Sequence, residues 1–280
     1  MTVEFRKTTP GGLRAILSRL PAGRWILEKL RGETWFSSIW YAFKGKLERV
    51  SDGTWVVYLD SMKFHLAKPR LSVIFDVIRD RIYEQVYDLR EGDVVIDVGA
   101  HVGIFAVKAA KTVGEHGAVV AIEPEPRNND FLAENIVSNG VDQIVTVIQS
   151  AAGSGKGRSK LYLSEFHTGH TFNKMSYYGE SMDDYIEVDV DSLDNIASKL
   201  GLGRVDFVKI DTEGWELEVL KGMSAILGMA GVKIAIAAYH TLPDGKPEAA
   251  EIVSFLESKG VKEVIVYDDI YNERYIHAKT

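Results

Sequence analysis

Hydrophobic side chains follow one spacing in the first third of the chain and another in the rest. In residues 12–49, and again in residues 71–89, apolar residues recur every three or four positions, which is typical of one buried helix face. Pro21 is expected to separate two helices, because proline removes a helical hydrogen bond. Between these segments, "TWVVYLDSMKFHLA" at residues 54–67 predicts a β-hairpin with its turn near "DS". We therefore expect residues 1–75 to form an N-terminal helical and hairpin extension.

From residue 94 onward, short apolar runs alternate with helical stretches. Seven of these runs are expected as strands: "VVIDVG", "AVVAIEP", "IVTVIQSAA", "VDFVKID", "KIAIAAYH", "EVIVYDD" and "YIHAK". Apolar strands separated by helices predict a mostly parallel sheet with helices on both faces. We therefore predict an α/β, Rossmann-like domain over residues 76–280. Such sheets bind ligands beyond the carboxyl ends of their strands, so the side chains that directly follow the strands are the first candidates for a site.

An insertion at about residues 153–190 interrupts this alternation with a polar segment rich in Gly, Ser and His. It predicts one or two extra strands around a loop, and the loop is either a substrate lid or an insertion without a role. Two histidines of this loop, His167 and His170, have no Cys or paired acids beside them, so we expect polar loop residues that contact the acceptor at most. The nearby aromatic residues suit either stacking on a sugar ring or ordinary packing, and these are Phe172, Tyr177 and Tyr178.

Composition and charge narrow the classes of function. The net charge of −7 argues against a nucleic-acid-binding protein. The chain has no cysteine, which excludes disulfides, cysteine zinc sites and thiolate nucleophiles. It has neither an apolar run of about 18 residues nor the apolar core of a signal peptide. We therefore expect no transmembrane helix and a cytoplasmic location.

The first 49 residues are basic, in contrast to the rest of the chain. They contain ten Lys or Arg and four Glu. This basic leader predicts either a solvated helix packed on the main domain or a peripheral contact with a membrane surface or an anionic partner. A cap over the binding site and a homodimer interface are further alternatives for the same segment, and they stay open.

The stretch "VVIDVGAHVGIF" predicts a strand, a glycine turn and a helix, the arrangement of many nucleotide-binding sites. The dinucleotide fingerprint places glycines at the first, third and sixth positions, and counted from Gly99 the third and sixth are His101 and Ile104. A P-loop is excluded because no Gly-Lys-Ser/Thr ending follows. What fits is Asp97 at the strand end with Gly99 and Gly103, a pattern that resembles the glycine turn of S-adenosylmethionine (SAM)-dependent methyltransferases.

A carboxylate follows the second strand of this domain, in "AVVAIEPEP". Glu123 lies where an acidic side chain accepts the two hydroxyls of a cofactor ribose, since a carboxylate has two oxygens with free lone pairs. The alternative is a charged residue that caps the next helix, for which Pro124 and Pro126 suit the first turn. Because the glycine turn stands in register with it, we favour ribose binding.

A third motif, "VDFVKIDTEGWELEVLKG", places Asp211 and Glu213 over the same edge of the sheet. Together with "DVGAHVGIF", "AIEPEP", "NIVSNG" and the "YH" that ends at His240, it resembles the FkbM family of SAM-dependent methyltransferases, over roughly residues 83–269. The resemblance implies a class I methyltransferase fold, SAM as cofactor, and methylation of an oxygen on a sugar, a glycan or a small natural product.

The resemblance also implies roles for particular residues. Ser150 and Ala151 correspond to positions that contact adenine, and His240 matches a histidine that often follows the next strand. The implied cofactor-binding residues are Asp97, Gly99, Ala100, His101, Gly103, Glu123, Pro124, Ser150, Ala151 and Asp211. Two positions depart from the family pattern: His101 replaces the usual Asn, and Ala237 or Ala238 stands where a Glu commonly precedes the histidine.

Methyl transfer to an alcohol needs a base, and the predicted catalytic residues are His240, Asp211 and Glu213. We prefer His240 as the base, with Asp211 orienting substrate or cofactor, because histidine titrates near neutral pH. A core histidine without a catalytic role is the alternative. These three residues also suit a metal ion, but we expect none.

Two other classes of function compete with methyl transfer to a small-molecule or carbohydrate acceptor. A non-catalytic binding module would keep the nucleotide fold as a scaffold, and calorimetry with SAM separates it from the enzyme. An NAD-dependent oxidoreductase is contradicted by the spacing at His101 and Ile104.

Overall fold

The computed structural model of the chain describes residues 2–7, 45–68, 71–164, 169–174, 182–240, 247–269 and 273–280. Its strands are β1 (Thr2–Lys7), β2 (Lys46–Arg49), β3 (Trp55–Leu59), β4 (Met62–Leu66), β5 (Val94–Val98), β6 (Ala118–Ile122), β7 (Val145–Ile148), β8 (Ala151–Ala152), β9 (Gly157–Tyr162), β10 (Tyr185–Asp191), β11 (Phe207–Ile210), β12 (Lys233–Ala237), β13 (Glu263–Asp268) and β14 (Arg274–Lys279). Its α-helices are α1 (Leu71–Ile78), α2 (Ile104–Val113), α3 (Pro126–Ser138), α4 (Leu193–Lys199), α5 (Glu216–Lys221), α6 (Ser224–Leu227) and α7 (Ala249–Ser258).

The central sheet has eight strands in the order β1-β13-β14-β12-β11-β5-β6-β7. All neighbours pair in parallel except β14, which is antiparallel to both β12 and β13. Seven of the eight are the strands predicted from residue 94 onward, so the predicted fold class is confirmed. The eighth is β1, which pairs with β13 at the edge and comes from the segment predicted as a helical extension.

Apolar residues fill both faces of the sheet, as the unbroken apolar runs predicted. Val95 belongs to the core between the sheet and helices α1, α2 and α3, and its neighbour Ile96 to the core on the opposite face with helices α4 to α7. Successive strand residues point to opposite faces, so a strand covered on both sides must be apolar throughout.

The N-terminal half differs from the prediction in two places. Residues 71–89 were expected as one helix, but α1 ends at Ile78, and a short 3₁₀ turn at Ile82–Glu84 follows it. Arg81 has a φ of 53°, in the left-handed region that interrupts a right-handed helix. The residues Lys46–Arg49 were predicted as the end of a helix and instead form β2.

The predicted hairpin is confirmed: β3 and β4 pair around Asp60 and Ser61, with β2 as a third strand. The insertion supplies β9 and β10, which form a second small sheet with β8, in agreement with the predicted extra strands. The predicted helices of residues 12–44 lie outside the described residues, and the division at residue 75 stays a prediction. Among the described helices, none has both the length and the apolar character needed to cross a bilayer.

The strand order places the site. Strand β5 lies between β6 and β11, and the chain reaches its two neighbours by connections on opposite sides of the sheet. The loops after β5 and β11 therefore separate at their carboxyl ends and leave a crevice, which is where ligands of open α/β sheets bind.

Candidate active site

A cavity of about 430 Å³ opens at the carboxyl ends of β5, β6, β11 and β12. Most of the predicted site residues line it, and these are Gly99, Ala100, His101, Glu123, Pro124, Ser150, Ala151, Asp211 and Glu213. Three predicted residues, Asp97, Gly103 and His240, lie behind the wall instead of on it.

The two glycines of the turn are required by close packing within the protein. A Cβ on Gly99 would lie 1.9 Å from the carbonyl oxygen of Asp211, and a Cβ on Gly103 would lie 2.4 Å from Leu132 Cδ1. Both glycines have positive φ angles, 72° and 84°. The turn can therefore pass directly against the β11 loop and against helix α3, and only glycine meets both conditions.

Glu123 is held by a set of donors at the end of β6. Its Oε2 accepts a hydrogen bond from the His101 amide at 2.8 Å, and its Oε1 accepts from the Glu125 amide at 3.0 Å and from Asn128 Nδ2 at 3.3 Å. Burial raises the pKa of Glu123, although these hydrogen bonds oppose the rise. The cap of α3 is Glu125, which accepts from the amides of Arg127 and Asn128. Glu123 is therefore not the helix-capping residue, which was the alternative reading of the sequence.

Asp97 lies below the cavity floor and forms an ion pair. It is fully buried, and its Oδ1 is 3.0 Å from Lys209 Nζ. The same ammonium donates to the carbonyl oxygens of Gly99 at 2.7 Å and Val98 at 3.2 Å. Burial raises the pKa of Asp97 and Lys209 opposes the rise. Lys209 thereby ties the end of β5 to β11, and it is the member of this pair that lines the cavity.

Asp211 accepts a hydrogen bond from a residue that precedes the first strand of the predicted domain. The hydroxyl of Tyr83, in the 3₁₀ turn after α1, donates to Asp211 Oδ2 at 2.5 Å. The other oxygen, Oδ1, is buried and accepts no hydrogen bond from the described residues. One oxygen of this carboxylate is thus held by Tyr83, and the second is buried at a residue that lines the cavity.

His240 lies between two carboxylates. Its Nε2 is 3.2 Å from Glu213 Oε2, and its Nδ1 is 3.3 Å from Glu216 Oε1. Burial would lower the pKa of His240, but Glu216 and Glu213 outweigh it and raise this pKa well above its usual value. The two carboxylates therefore favour the imidazolium form of His240. His240 as the base stays a prediction, and the two flanking carboxylates disfavour it because they stabilise the protonated ring.

The carboxylates around His240 have unequal protonation. Burial would raise the pKa of Glu216, but the His240 charge lowers it to about 2. Burial and the adjacent Glu216 raise the pKa of Glu248 to about 9, so this residue is a neutral acid that donates to Glu216. Burial also raises the pKa of Glu213. The carboxyl groups of the cluster thus differ in pKa, and Glu216, with the lowest pKa, is ionised.

The same cluster contains a set of metal-ligand types. Asp211, Glu216 and His240 each offer one ligand atom, and these atoms lie within 4.8 Å of one another. The ion pair of His240 with Glu216 accounts for the closeness of those two residues without a metal, but it does not include Asp211. The expectation that no metal is used remains a prediction.

Part of the insertion contacts the loop that follows β11. Thr171 Oγ1 donates to the Glu213 carbonyl oxygen at 2.5 Å, and the Phe172 ring lies 4.6 Å from the Trp215 ring. His170 and Phe172 line the cavity. The other insertion residues considered from the sequence, His167, Tyr177 and Tyr178, lie outside the described residues.

Sequence reasoning missed several cavity residues. Lys209 had a recognisable signal, since a lysine interrupts the apolar run "FVKI" and a buried cation requires a partner. Tyr83 and Tyr275 had no such signal, because tyrosine in an apolar segment is ordinary core composition.

Comparisons with known proteins identify the family of the chain. The model of the methyltransferase FkbM domain matches residues 97–262, more than half of the chain. The chain is 28% identical over 229 residues to 31-O-demethyl-FK506 methyltransferase FkbM of Streptomyces tacrolimicus, which covers 72% of this chain and 85% of the relative. It is 30% identical over 171 residues to hexuronic acid methyltransferase AglP of Haloferax volcanii, which covers 61% of this chain and 64% of the relative.

A solved structure shares the fold. The methyltransferase FkbM of Methylobacillus flagellatus KT aligns with a TM-score of 0.52 and 18% identity, over 72% of this chain and 47% of that one. This chain therefore spans about half the length of that structure. The family match and the crevice at the ends of β5, β6 and β11 together establish that the chain belongs to the FkbM family of SAM-dependent methyltransferases.

Proposed function

We propose that this protein transfers the methyl group of SAM to a hydroxyl oxygen of a small carbohydrate or natural-product acceptor, with Asp211 as the general base. The observation that supports this most directly is the difference between the two oxygens of the Asp211 carboxylate. Oδ2 is held by Tyr83, whereas Oδ1 is buried in the cavity wall without a described donor. An acceptor hydroxyl that donates to Oδ1 would complete the hydrogen bonding of the carboxylate.

The cavity residues fit the cofactor. A carboxylate has about four acceptor positions, and three donors occupy Glu123, so it can still accept from a ribose hydroxyl. Ser150 Oγ is buried without a described hydrogen-bond partner, beside the position assigned to adenine. Gly99 and Ala100 line the cavity on the β5 side, where the methionyl portion would lie. SAM bound here supplies an electrophilic methyl group on a positively charged sulfur.

The residues of this chain then have to hold the acceptor and accept its proton. With SAM bound, the acceptor oxygen would form a bond to the methyl carbon as the carbon–sulfur bond breaks, and the sulfur would keep the electron pair. The acceptor proton passes to Asp211 Oδ1 and from there to solvent. An alcohol is a poor nucleophile at neutral pH, so proton acceptance by a fixed base contributes roughly 10²–10⁴-fold to such a step.

His240 has a positioning role in this proposal. As an imidazolium between Glu213 and Glu216, it holds the turn that follows Asp211 in one arrangement. The amide of Thr212 also donates to Glu216 Oε1, at 2.7 Å. The backbone on the carboxyl side of Asp211 is thus fixed by contacts that do not involve the acceptor.

The oxygen specificity and the acceptor class rest on the relatives. One is named for 31-O-demethyl-FK506 and another for hexuronic acid. An acceptor hydroxyl is common to the sugar and natural-product classes, and a carboxylate base suits it. Among the described lining residues, Tyr83, Tyr239 and Tyr275 add aromatic surface for a ring to pack on.

The test uses Asp211→Asn, which keeps the shape of the side chain and removes the base. Wild-type protein and SAM with a CD3 group are incubated with a lysate metabolite pool, and mass spectrometry identifies the labelled acceptor. We expect the variant to lose turnover by roughly 10²–10⁴-fold. Asp142→Asn, an exposed carboxylate before β7, is the matched control and keeps full activity.

Binding of S-adenosylhomocysteine, measured by calorimetry, separates the possible outcomes. Binding by both variants with turnover lost only in Asp211→Asn supports the proposal. Full turnover by Asp211→Asn contradicts Asp211 as the base. Failure of the wild type to bind either SAM or S-adenosylhomocysteine favours the non-catalytic module.

A further inference from the structure

Tyr83 lies outside the segment that the family model matches, yet its hydroxyl reaches the Asp211 carboxylate in the cavity wall. The matched segment begins at residue 97, and Tyr83 lies in the 3₁₀ turn Ile82–Glu84. Its hydroxyl donates to Asp211 Oδ2 at 2.5 Å, across 128 positions of sequence. The two residues are far apart in the sequence, so tertiary packing, and not local structure, brings the buried phenol to the carboxylate in the cavity wall.

We propose that Tyr83 is the positioning residue of the reaction: its hydrogen bond fixes the Asp211 carboxylate so that Oδ1 faces the acceptor. This inference rests on the proposed function of Asp211 as the base. A carboxylate rotates easily about its last side-chain bond, and a donor on one oxygen determines which oxygen points into the cavity. Oδ1 is the oxygen without a described donor, which is the arrangement a base requires.

The Tyr83 ring is held in place on several sides. It makes edge contacts with Phe105 at 5.4 Å and with Tyr275 at 6.1 Å between ring centroids. The ammonium of Lys209 lies 5.3 Å from the ring centroid, on the side of the β5–β11 pair. Since only 5% of Tyr83 is exposed, the phenol has little freedom to turn away from Asp211.

The turn that carries Tyr83 is itself anchored. The carboxylate of Glu84, the next residue, forms a buried ion pair with Lys108 of α2. Lys108 also donates to the carbonyl oxygen of Val77, at the end of α1, at 2.8 Å. Helix α2 begins directly after the glycine turn, so the phenol and the turn are fixed to the same element.

Tyr83 remains a donor throughout the reaction. Burial, and then the adjacent Asp211 charge, raise the pKa of Tyr83 well above its usual value. The phenol therefore keeps its proton while Asp211 Oδ1 accepts the proton of the acceptor. Its role is to orient Asp211 and to favour the ionised carboxylate, and no bond forms to it.

The experiment measures the Asp211 carboxylate directly by NMR on the full-length protein labelled at the aspartate carboxyl carbon. The resonance of Asp211 is the one that disappears in Asp211→Asn, and its titration is compared in the wild type, Tyr83→Phe and Tyr267→Phe. Tyr267 is the matched control, a buried tyrosine of β13 that is not among the cavity-lining residues. A lost donor favours the neutral acid, so we expect the Tyr83→Phe midpoint to rise by about one pH unit, a tenfold change in the protonation constant.

A fluorinated tyrosine at position 83 keeps the test decisive if Tyr83→Phe does not fold. A more acidic phenol is a stronger donor, so the Asp211 midpoint should move to lower pH. Midpoints that match the wild type in both the Tyr83→Phe and fluorotyrosine proteins overturn the inference. So does an equal rise in Tyr267→Phe.

Binding of S-adenosylhomocysteine and turnover distinguish the two proposals. Tyr83→Phe should bind S-adenosylhomocysteine within about twofold of the wild type, since no cofactor contact is assigned to it. Full methyl transfer by Asp211→Asn contradicts the base assignment alone. An unmoved midpoint in Tyr83→Phe, with Asp211→Asn inactive, contradicts the positioning role alone.

Discussion

His101 has a φ of 52°, a left-handed conformation that few side chains adopt. Asn, Asp and His are enriched among non-glycine residues in this region, so the Asn that the resemblance leads us to expect and the His of this chain both suit this backbone conformation. The His101 amide in this conformation donates to Glu123 at 2.8 Å. The departure from the family pattern therefore preserves the turn, and any difference between the two residues lies in the side chain that lines the cavity.

Substitutions at His101 test this explanation. We expect His101→Asn to unfold in urea within about 0.5 kcal/mol of the wild type. His101→Val should lose about 1–3 kcal/mol, because a β-branched residue is strained at positive φ. Equal stability of the Val and Asn variants would show that the left-handed turn does not constrain the residue type.

His240 makes stability depend on pH in a direction that its pKa fixes. Its pKa in the folded chain is raised above the unfolded value by Glu216 and Glu213, against the opposing effect of burial. The stabilisation is fully present below the unfolded pKa of about 6.5 and is lost as the pH rises through the folded pKa. The free energy of unfolding of the wild type, measured in urea, should therefore fall more steeply than that of His240→Gln as the pH rises above about 6.5. Parallel pH curves for the two proteins would contradict the ion pairs.

Strands β5 and β11 form the rigid element of the site through the pair of Asp97 and Lys209. A buried ion pair that loses one partner leaves an uncompensated charge, at a cost of about 3–5 kcal/mol. We expect that loss of stability in Lys209→Met. The double variant Lys209→Met/Asp97→Leu should be more stable than Lys209→Met alone by over about 1 kcal/mol, because it also removes the buried Asp97 charge that has lost its partner. Urea unfolding of the two single variants and the double variant measures the coupling, and additive effects would rule it out.

The elements that local sequence specifies were predicted well. The apolar runs from residue 94 onward predicted the sheet. The glycine turn and the acid after the next strand predicted the position of the crevice and of Glu123 beside it. The prediction of one helix over residues 71–89 was wrong. Arg81 adopts a left-handed backbone conformation, and arginine as a residue type gives no indication of it. The 3₁₀ turn that results is the one that brings Tyr83 to Asp211.

At the scale of the whole molecule, the site combines segments that are far apart in the sequence. The cavity wall includes residues of α1, of the insertion and of β14, whose contacts are set by the packing of the sheet and not by local pattern. The same holds for His240, whose protonation depends on Glu213 and Glu216 coming to opposite sides of its ring. Sequence spacing indicated that these groups share an edge of the sheet, but the charge of the histidine follows only from the distances.

Cofactor binding at this shared cavity should stabilise the entire fold. A ligand that binds only the folded chain raises the free energy of unfolding by about 2.7 kcal/mol at a free concentration of 100 times its dissociation constant. S-adenosylhomocysteine should have this effect on the wild type and lose most of it in Glu123→Ala, because the cavity then lacks the acidic acceptor at the end of β6. Glu115→Ala, an exposed acid between α2 and β6, is the control and should respond like the wild type. The measurement is urea unfolding with and without S-adenosylhomocysteine, and an undiminished response in Glu123→Ala would remove Glu123 from the cofactor site.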